Sequence, residues 1–109
     1  MTQTTTFKSA YQIASELRSQ KVGKIYDALD GDFIYGGHFD YSPIASAIME
    51  MVIEAEQGFV SDICKRFSAC DNRYPMSEKQ RWCVAFAFAK VSDAIVEKVV
   101  ARANAETIC

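Results

Sequence analysis

The sequence predicts a mainly α protein: a compact bundle of about four helices, with a short β-ribbon as an alternative for part of residues 24 to 41. Three observations lead there. Apolar residues recur three and four apart over most of the chain, the period of a helix with one buried face. Good helix-opening signals, Ser42-Pro43 and Ser77-Glu78-Lys79-Gln80, punctuate that pattern. The chain has 109 residues, 50% hydrophobic and 24% charged, the size and composition of one globular domain with its own core.

Residues 1 to 6 read as a polar, disordered tail and residues 7 to 109 as a single helical domain. The tail is Thr-rich, with neither a basic start nor an apolar run, so it does not read as a signal peptide. The expected location is cytoplasmic. Phe7 to Val22 predicts the first helix, with Ser9 as candidate N-cap, Ala10, Ile13, Ala14 and Leu17 as its apolar stripe, and Gly23 as its stop.

Lys24 to Tyr41 supports two readings. Val22, Ile25, Tyr26 and Leu29 are spaced as one face of a short helix followed by a loop. Asp30-Gly31 and Gly36-Gly37 are instead turn dipeptides, giving a meander of Lys24–Leu29, Asp32–Tyr35 and His38–Tyr41. Either way, Phe33, Ile34, Tyr35, Phe39 and Tyr41 make an aromatic-rich connector.

Ser42 as N-cap and Pro43 at the first helical position open the next helix, whose apolar face runs from Ile44 to Ala55. Glu50, Glu54 and Glu56 mark its wet side, and Gly58 ends or bends it. Phe59, Val60, Ile63, Cys64 and Phe67 give the stripe of a further helix that ends near Ala69. A turn-rich loop, Cys70 to Met76, leads to Ser77.

From Ser77 the chain predicts one long central helix to Ala103, about 26 residues or roughly 39 Å. Ser77 and Gln80 form a capping box. Trp82 to Ala89 has no polar side chain, which predicts packing on several sides. Beyond Lys90, Val91, Ala94, Ile95 and Val99 form a narrower stripe, a candidate homodimer seam. The apolar run is too short for a membrane span, which needs about 20 residues.

Charge is unevenly laid out although the net is only −2. Between Lys24 and Lys65 there are eight acids and no base; the remainder holds all twelve bases and six acids. This asymmetry predicts an acidic surface built from Asp30, Asp32, Asp40, Glu50, Glu54 and Glu56, with Tyr35 and Tyr41 as aromatic anchors, able to dock on a basic protein surface. The competing site is basic. Lys65, Arg66, Arg73, Lys79 and Arg81 gather in sequence near Tyr74 and Trp82, a pattern that suits phosphate contact with base stacking.

Catalytic and metal chemistry find little support. His38 is the only histidine, and a Cys–His pair would need it to meet Cys64, Cys70 or Cys83 in space. Those cysteines and Cys109 form no C-x-x-C pair, and reduced thiols are expected. Asp30-Gly31-Asp32 begins like a calcium loop but has Tyr35 where Gly belongs and Tyr41 at the closing Glu position. The expectation is a protein with no enzymatic activity, cofactor or metal.

Phe59, Ile63 and Phe67, followed by Met76-Ser77-Glu78-Lys79-Gln80, make an amphipathic helix, a polar loop and a Met-Ser-Glu-Lys-Gln box opening an apolar helix. This resembles small phage- and plasmid-encoded proteins over roughly a third of the chain. The resemblance implies a mobile-element protein that binds, and inhibits, a nucleic-acid-handling host complex such as a CRISPR or other defence effector. The alternatives are a small DNA- or RNA-binding module and a structural homodimer.

Overall fold

In a computed structural model the described residues of the chain form six helices and one two-stranded ribbon. They are α1 (Ala10–Arg18), α2 (Val22–Ala28), β1 (Gly31–Ile34), β2 (His38–Tyr41), α3 (Pro43–Glu54), α4 (Phe59–Ala69), α5 (Glu78–Ala89) and α6 (Asp93–Ile108). The structure describes residues 10–34, 38–69 and 76–108. The expected tail at residues 1 to 6, the Ser9 cap, Tyr35, the Gly36-Gly37 turn, Cys70, Arg73, Tyr74 and Cys109 lie outside the described residues.

The protein is mostly helical, as its periodicity predicts, but its described residues form six helices rather than about four. Two local breaks account for the difference. The first helix ends at Arg18 and not near Val22. Ser19 Oγ donates to the Glu16 carbonyl at 2.9 Å, and the Ser19 and Gln20 amides bond three residues back, which tightens and closes the last turn. Gly23 is therefore no stop: it is the second residue of α2, exposed, with open space around it.

The second break divides the expected long helix. α5 ends at Ala89, and Lys90 and Val91 bond back to Ala87 and Phe88 in 3₁₀ fashion. Ser92 then opens α6: its Oγ accepts from the Ile95 amide at 3.4 Å, and its carbonyl accepts from the Val96 amide. Arg18 holds the corner in place. Its Nη1 donates to the Val91 carbonyl at 2.7 Å, and its Nη2 pairs with Asp93 in the first turn of α6. A carbonyl released by the break thus gains a charged donor from α1.

Between these breaks, several sequence signals act as expected. Ser42 Oγ accepts from the Ala45 amide with Pro43 at the first helical position, and the Ser77–Gln80 capping box is complete in both directions. The segment that supported two readings divides: its first part is α2, so the expected strand Lys24–Leu29 is helical. Its second part pairs antiparallel, with Gly31 opposite Tyr41, Asp32 opposite Asp40, Phe33 opposite Phe39 and Ile34 opposite His38. Asp30 precedes β1 and Gly31 opens it, so Asp30-Gly31 is not the hairpin turn.

The central helix is α3, not α5. It packs against α1, α4, α5, α6 and β2. Ala45, Ala47, Ile48, Met49, Met51 and Val52 are all buried on it. Each large side chain fully removed from water there contributes about 1.5–3 kcal/mol. After α3 the chain reverses through two left-handed residues, Glu56 at φ 52° and Gly58 at φ 64°. Ser61 pins this corner: its buried hydroxyl donates to the Val52 carbonyl at 2.8 Å and accepts from the Gln57 amide at 2.5 Å. That registration turns Val60, Ser61 and Cys64 inward and leaves Phe59, expected on the buried stripe, 66% exposed.

On α5 the inward residues are Val84, Ala85, Ala87 and Phe88, covered by α2, α3 and α4. The expectation of burial all round fails on one side, because Phe86 is 52% exposed. Val91 and Val99, half of the expected dimer seam, are buried within the chain's own core.

Two phenylalanines two residues apart on α5 should therefore differ sharply when truncated. Phe88→Ala is expected to cost about 3–5 kcal/mol, as for a filled core site. Phe86→Ala should cost no more than about 1 kcal/mol. Urea unfolding of the two variants measures the difference, and equal losses would place Phe86 in the core.

Candidate functional site

Three groups of side chains compete for a functional role: the acids of the middle segment, the bases around residues 65 to 81, and an aromatic row that composition and spacing did not single out.

The expected acidic surface is largely neutralised from within. Glu50 and Glu54 stand four apart on α3 and so share one face. Arg102 of α6 bridges them, its Nη2 to Glu50 at 3.0 Å and its Nη1 to Glu54 at 3.0 Å. Lys98 adds a second bond to Glu54 at 2.9 Å, and Tyr11 of α1 donates its hydroxyl to Glu50 at 3.0 Å. The bonds from Lys98 and Arg102 hold the Glu54 carboxyl below its ordinary pKa, and the same pairing raises that of Arg102. These two carboxylates fasten α6 and α1 to α3.

The remaining acids scatter. Asp30 is exposed, accepts from the Gly31 amide at 3.0 Å and lies 3.6 Å from Arg81. Asp32 and Asp40 face each other in register across the ribbon, and their side chains lie outside what is described. Glu56 is exposed at its left-handed turn. Tyr41, expected as an anchor, is a core residue at 5% exposure. Burial pushes its hydroxyl up to about 12, partly opposed by a hydrogen bond with the Met76 backbone.

The basic set does not act as one group either. Lys65 and Arg66 are exposed on α4, and Lys79 is exposed on α5. Arg81 turns the other way, onto the C-terminal end of α2. Its Nε donates to the Tyr26 carbonyl at 2.6 Å, its Nη2 reaches the Asp27 carbonyl at 3.5 Å, and its guanidinium lies 3.9 Å over the Tyr26 ring. A cation at this end gives a charged donor to carbonyls that otherwise accept only the Leu29 and Asp30 amides three residues on, and it meets the negative end of the helix dipole. Arg81 is thus a cap for α2 supplied from 54 residues away.

That cap helps to assemble the aromatic row. Tyr26 stacks on Trp82 with centroids 4.1 Å apart and planes 22° apart. Trp82 in turn meets Phe86, one turn along α5, at 5.8 Å and 33°. The row runs from a half-buried Tyr26 to an exposed Phe86. Sequence reasoning assigned Trp82 to the core because it opens an apolar run. The signal that could have found the row is the position of Lys79, Phe86 and Lys90, seven and four residues apart on one side of that run.

Cys64 is fully buried, and burial pushes its thiol up to about 12, which suppresses the nucleophilic thiolate. Cys83 is half-buried, and the His38 side chain lies outside what is described. Among the described residues no three or more His, Cys, Asp or Glu side chains converge as metal ligands. No helix among them is long and apolar enough to cross a membrane. A groove of about 450 Å³ runs between α1 and α6, with Val96 and Val100 inside and Gln12, Glu16, Glu97 and Asn104 among its polar lining.

No protein family, curated protein or solved structure matches the chain.

Two outcomes follow from the paired charges. Arg81→Ala should cost about 1–3 kcal/mol, because carbonyls at the end of α2 lose a charged donor, whereas exposed Lys79→Ala should stay within about 0.5 kcal/mol. Thermal unfolding compares them. The lowered Glu54 pKa gives a stabilisation that is present above the ordinary carboxylate value and is lost as pH falls through the depressed one. Glu54→Gln should flatten the acid side of a stability–pH profile and lower the neutral plateau towards it, with the alkaline slope unchanged. An unaltered acid side would mean that these bonds do not persist in solution.

Proposed function

We propose that this protein works by binding another protein, without enzymatic activity, through the aromatic face shared by α2 and α5. The observation that carries this reading is Phe86. A large aromatic side chain, 52% exposed, ends a stacked row with Tyr26 and Trp82 on an ordered helix rather than on a loop. Aromatic residues on rigid elements lose little conformational freedom when a partner covers them, and they dominate interface energetics. The resemblance to phage- and plasmid-encoded proteins supplies a setting: binding would occupy a host complex, such as a defence effector, and block it.

An acidic face docked on a basic partner fits less well. Glu50 and Glu54 are engaged within the chain, and Tyr41 is buried. Of the acids expected there, Asp30 and Glu56 are exposed, with Asp27 exposed near Asp30 in sequence, and Asp30 already has Arg81 beside it. Binding of nucleic acid through the bases at 65 to 81 loses Arg81 to the α2 cap.

Affinity capture from nuclease-treated bacterial lysate, read by quantitative mass spectrometry, separates these versions. The tagged protein is compared with Phe86→Asp and with the triple variant Asp27→Lys, Asp30→Lys, Glu56→Lys, each checked for helicity by circular dichroism. Phe86→Asp is expected to lose the captured protein by roughly tenfold or more, about 1.4 kcal/mol, with the triple variant unaffected. The reverse pattern would move the site to the acids. Partners that vanish on nuclease treatment would move it to nucleic acid.

A further inference from the structure

We propose that the outward side of α5 is a docking site for an acidic, amphipathic helix of a partner protein. This rests on the partner-binding reading and adds the chemistry of the partner. Lys79, Phe86 and Lys90 are exposed and fall within about 40° of one another around the helix. Half-buried Cys83 lies between them. The two lysines sit about 16 Å apart along the axis, three turns, with the exposed ring between them. Neither makes an ion pair among the described residues, unlike Lys98, Arg102, Arg18 and Arg81. Glu78, the neighbouring acid, is offset by about 100° from Lys79 and so lies off this side. An apolar centre with a cation at each end is complementary to a helix that carries an apolar seam between two acids about three turns apart.

Two other occupants fit poorly. Single-stranded nucleic acid would need open ring faces on which to stack. Here the Arg81 guanidinium and Trp82 both lie against the Tyr26 ring, and Trp82 also meets Phe86, so of the row only Phe86 keeps an open face, too little for a run of stacked bases. A second copy of the chain would meet this side through a two-fold axis. That symmetry, centred between residues 79 and 90, sets each copy's Lys79 against the other's Lys90, a like-charge contact at both ends.

Trp82 is the sole tryptophan and sits in the row, so its emission reports binding directly. The probes are two synthetic helical peptides of about 18 residues, one with a leucine seam between glutamates eleven apart and one with lysines at those two positions, together with an oligo-dT strand of about 20 nucleotides. The glutamate peptide should shift Trp82 emission saturably and bind at least roughly tenfold more tightly than the lysine peptide. Lys79→Glu with Lys90→Glu should reverse that preference, a result that a loss of fold cannot imitate. Equal binding of the two peptides, silence with either, a response to oligo-dT alone, or concentration-dependent self-association abolished by Phe86→Asp would each overturn the proposal. If Phe86→Asp loses the captured protein while neither peptide binds, the partner-binding reading survives and the acidic helix does not. If Phe86→Asp leaves capture intact and the peptides are silent, both fall.

Discussion

The enclosure of α3 is the constraint on which the rest of this structure depends. A twelve-residue helix packed against four other helices and a strand leaves little but Pro43 and its Glu50–Glu54 edge to water. Its apolar residues make the core. Its two carboxylates, Glu50 and Glu54, still need counter-charges, because a partly buried, unpaired acid is costly. Arg102 and Lys98 supply them from α6, and Tyr11 supplies a hydroxyl from α1. Charges that look like a solvated face in the sequence therefore work as fasteners.

The same economy recurs at each corner. Where α5 gives way to α6, Arg18 takes the Val91 carbonyl; where α2 ends, Arg81 takes the Tyr26 and Asp27 carbonyls; where α3 turns into α4, Ser61 takes the Val52 carbonyl. Six short helices release many terminal backbone groups in a small volume, and distant side chains close several of them. Much of the polar chemistry is thereby committed to holding helices together. What remains outward on α5 is an aromatic row and two lysines that form no ion pair among the described residues, and this leftover quality directs attention to that side.

Legibility of the site followed the range of the interactions. Lys65, Arg66 and Lys79 are exposed, as a simple reading of their charge suggests, and Asp32 and Asp40 do come together across the ribbon. The surroundings of Glu50, Glu54, Tyr41 and Arg81 are not legible in the sequence for one reason: each is set by a partner far along the chain. Arg81 lies 54 residues from Asp27, and Arg102 lies 52 from Glu50. Phe86 was hidden by the uniform hydrophobicity of its neighbours, since a run without polar residues has no visible outward side.

The sequence by itself determined the local features: helical character, the Ser42-Pro43 start, the Ser77–Gln80 capping box and the reversal at Gly58. Each depends on groups within four residues of one another, so spacing is sufficient information. Only the tertiary structure decided that α3 rather than α5 is central, that the long C-terminal helix breaks at Lys90–Ser92, and which charges are spent. Helix propensity alone favours continuing through that break. Packing α6 back onto α1 and α3 requires the chain to turn there, and the bonds from Arg18 to Val91 and Asp93 form only once that packing exists.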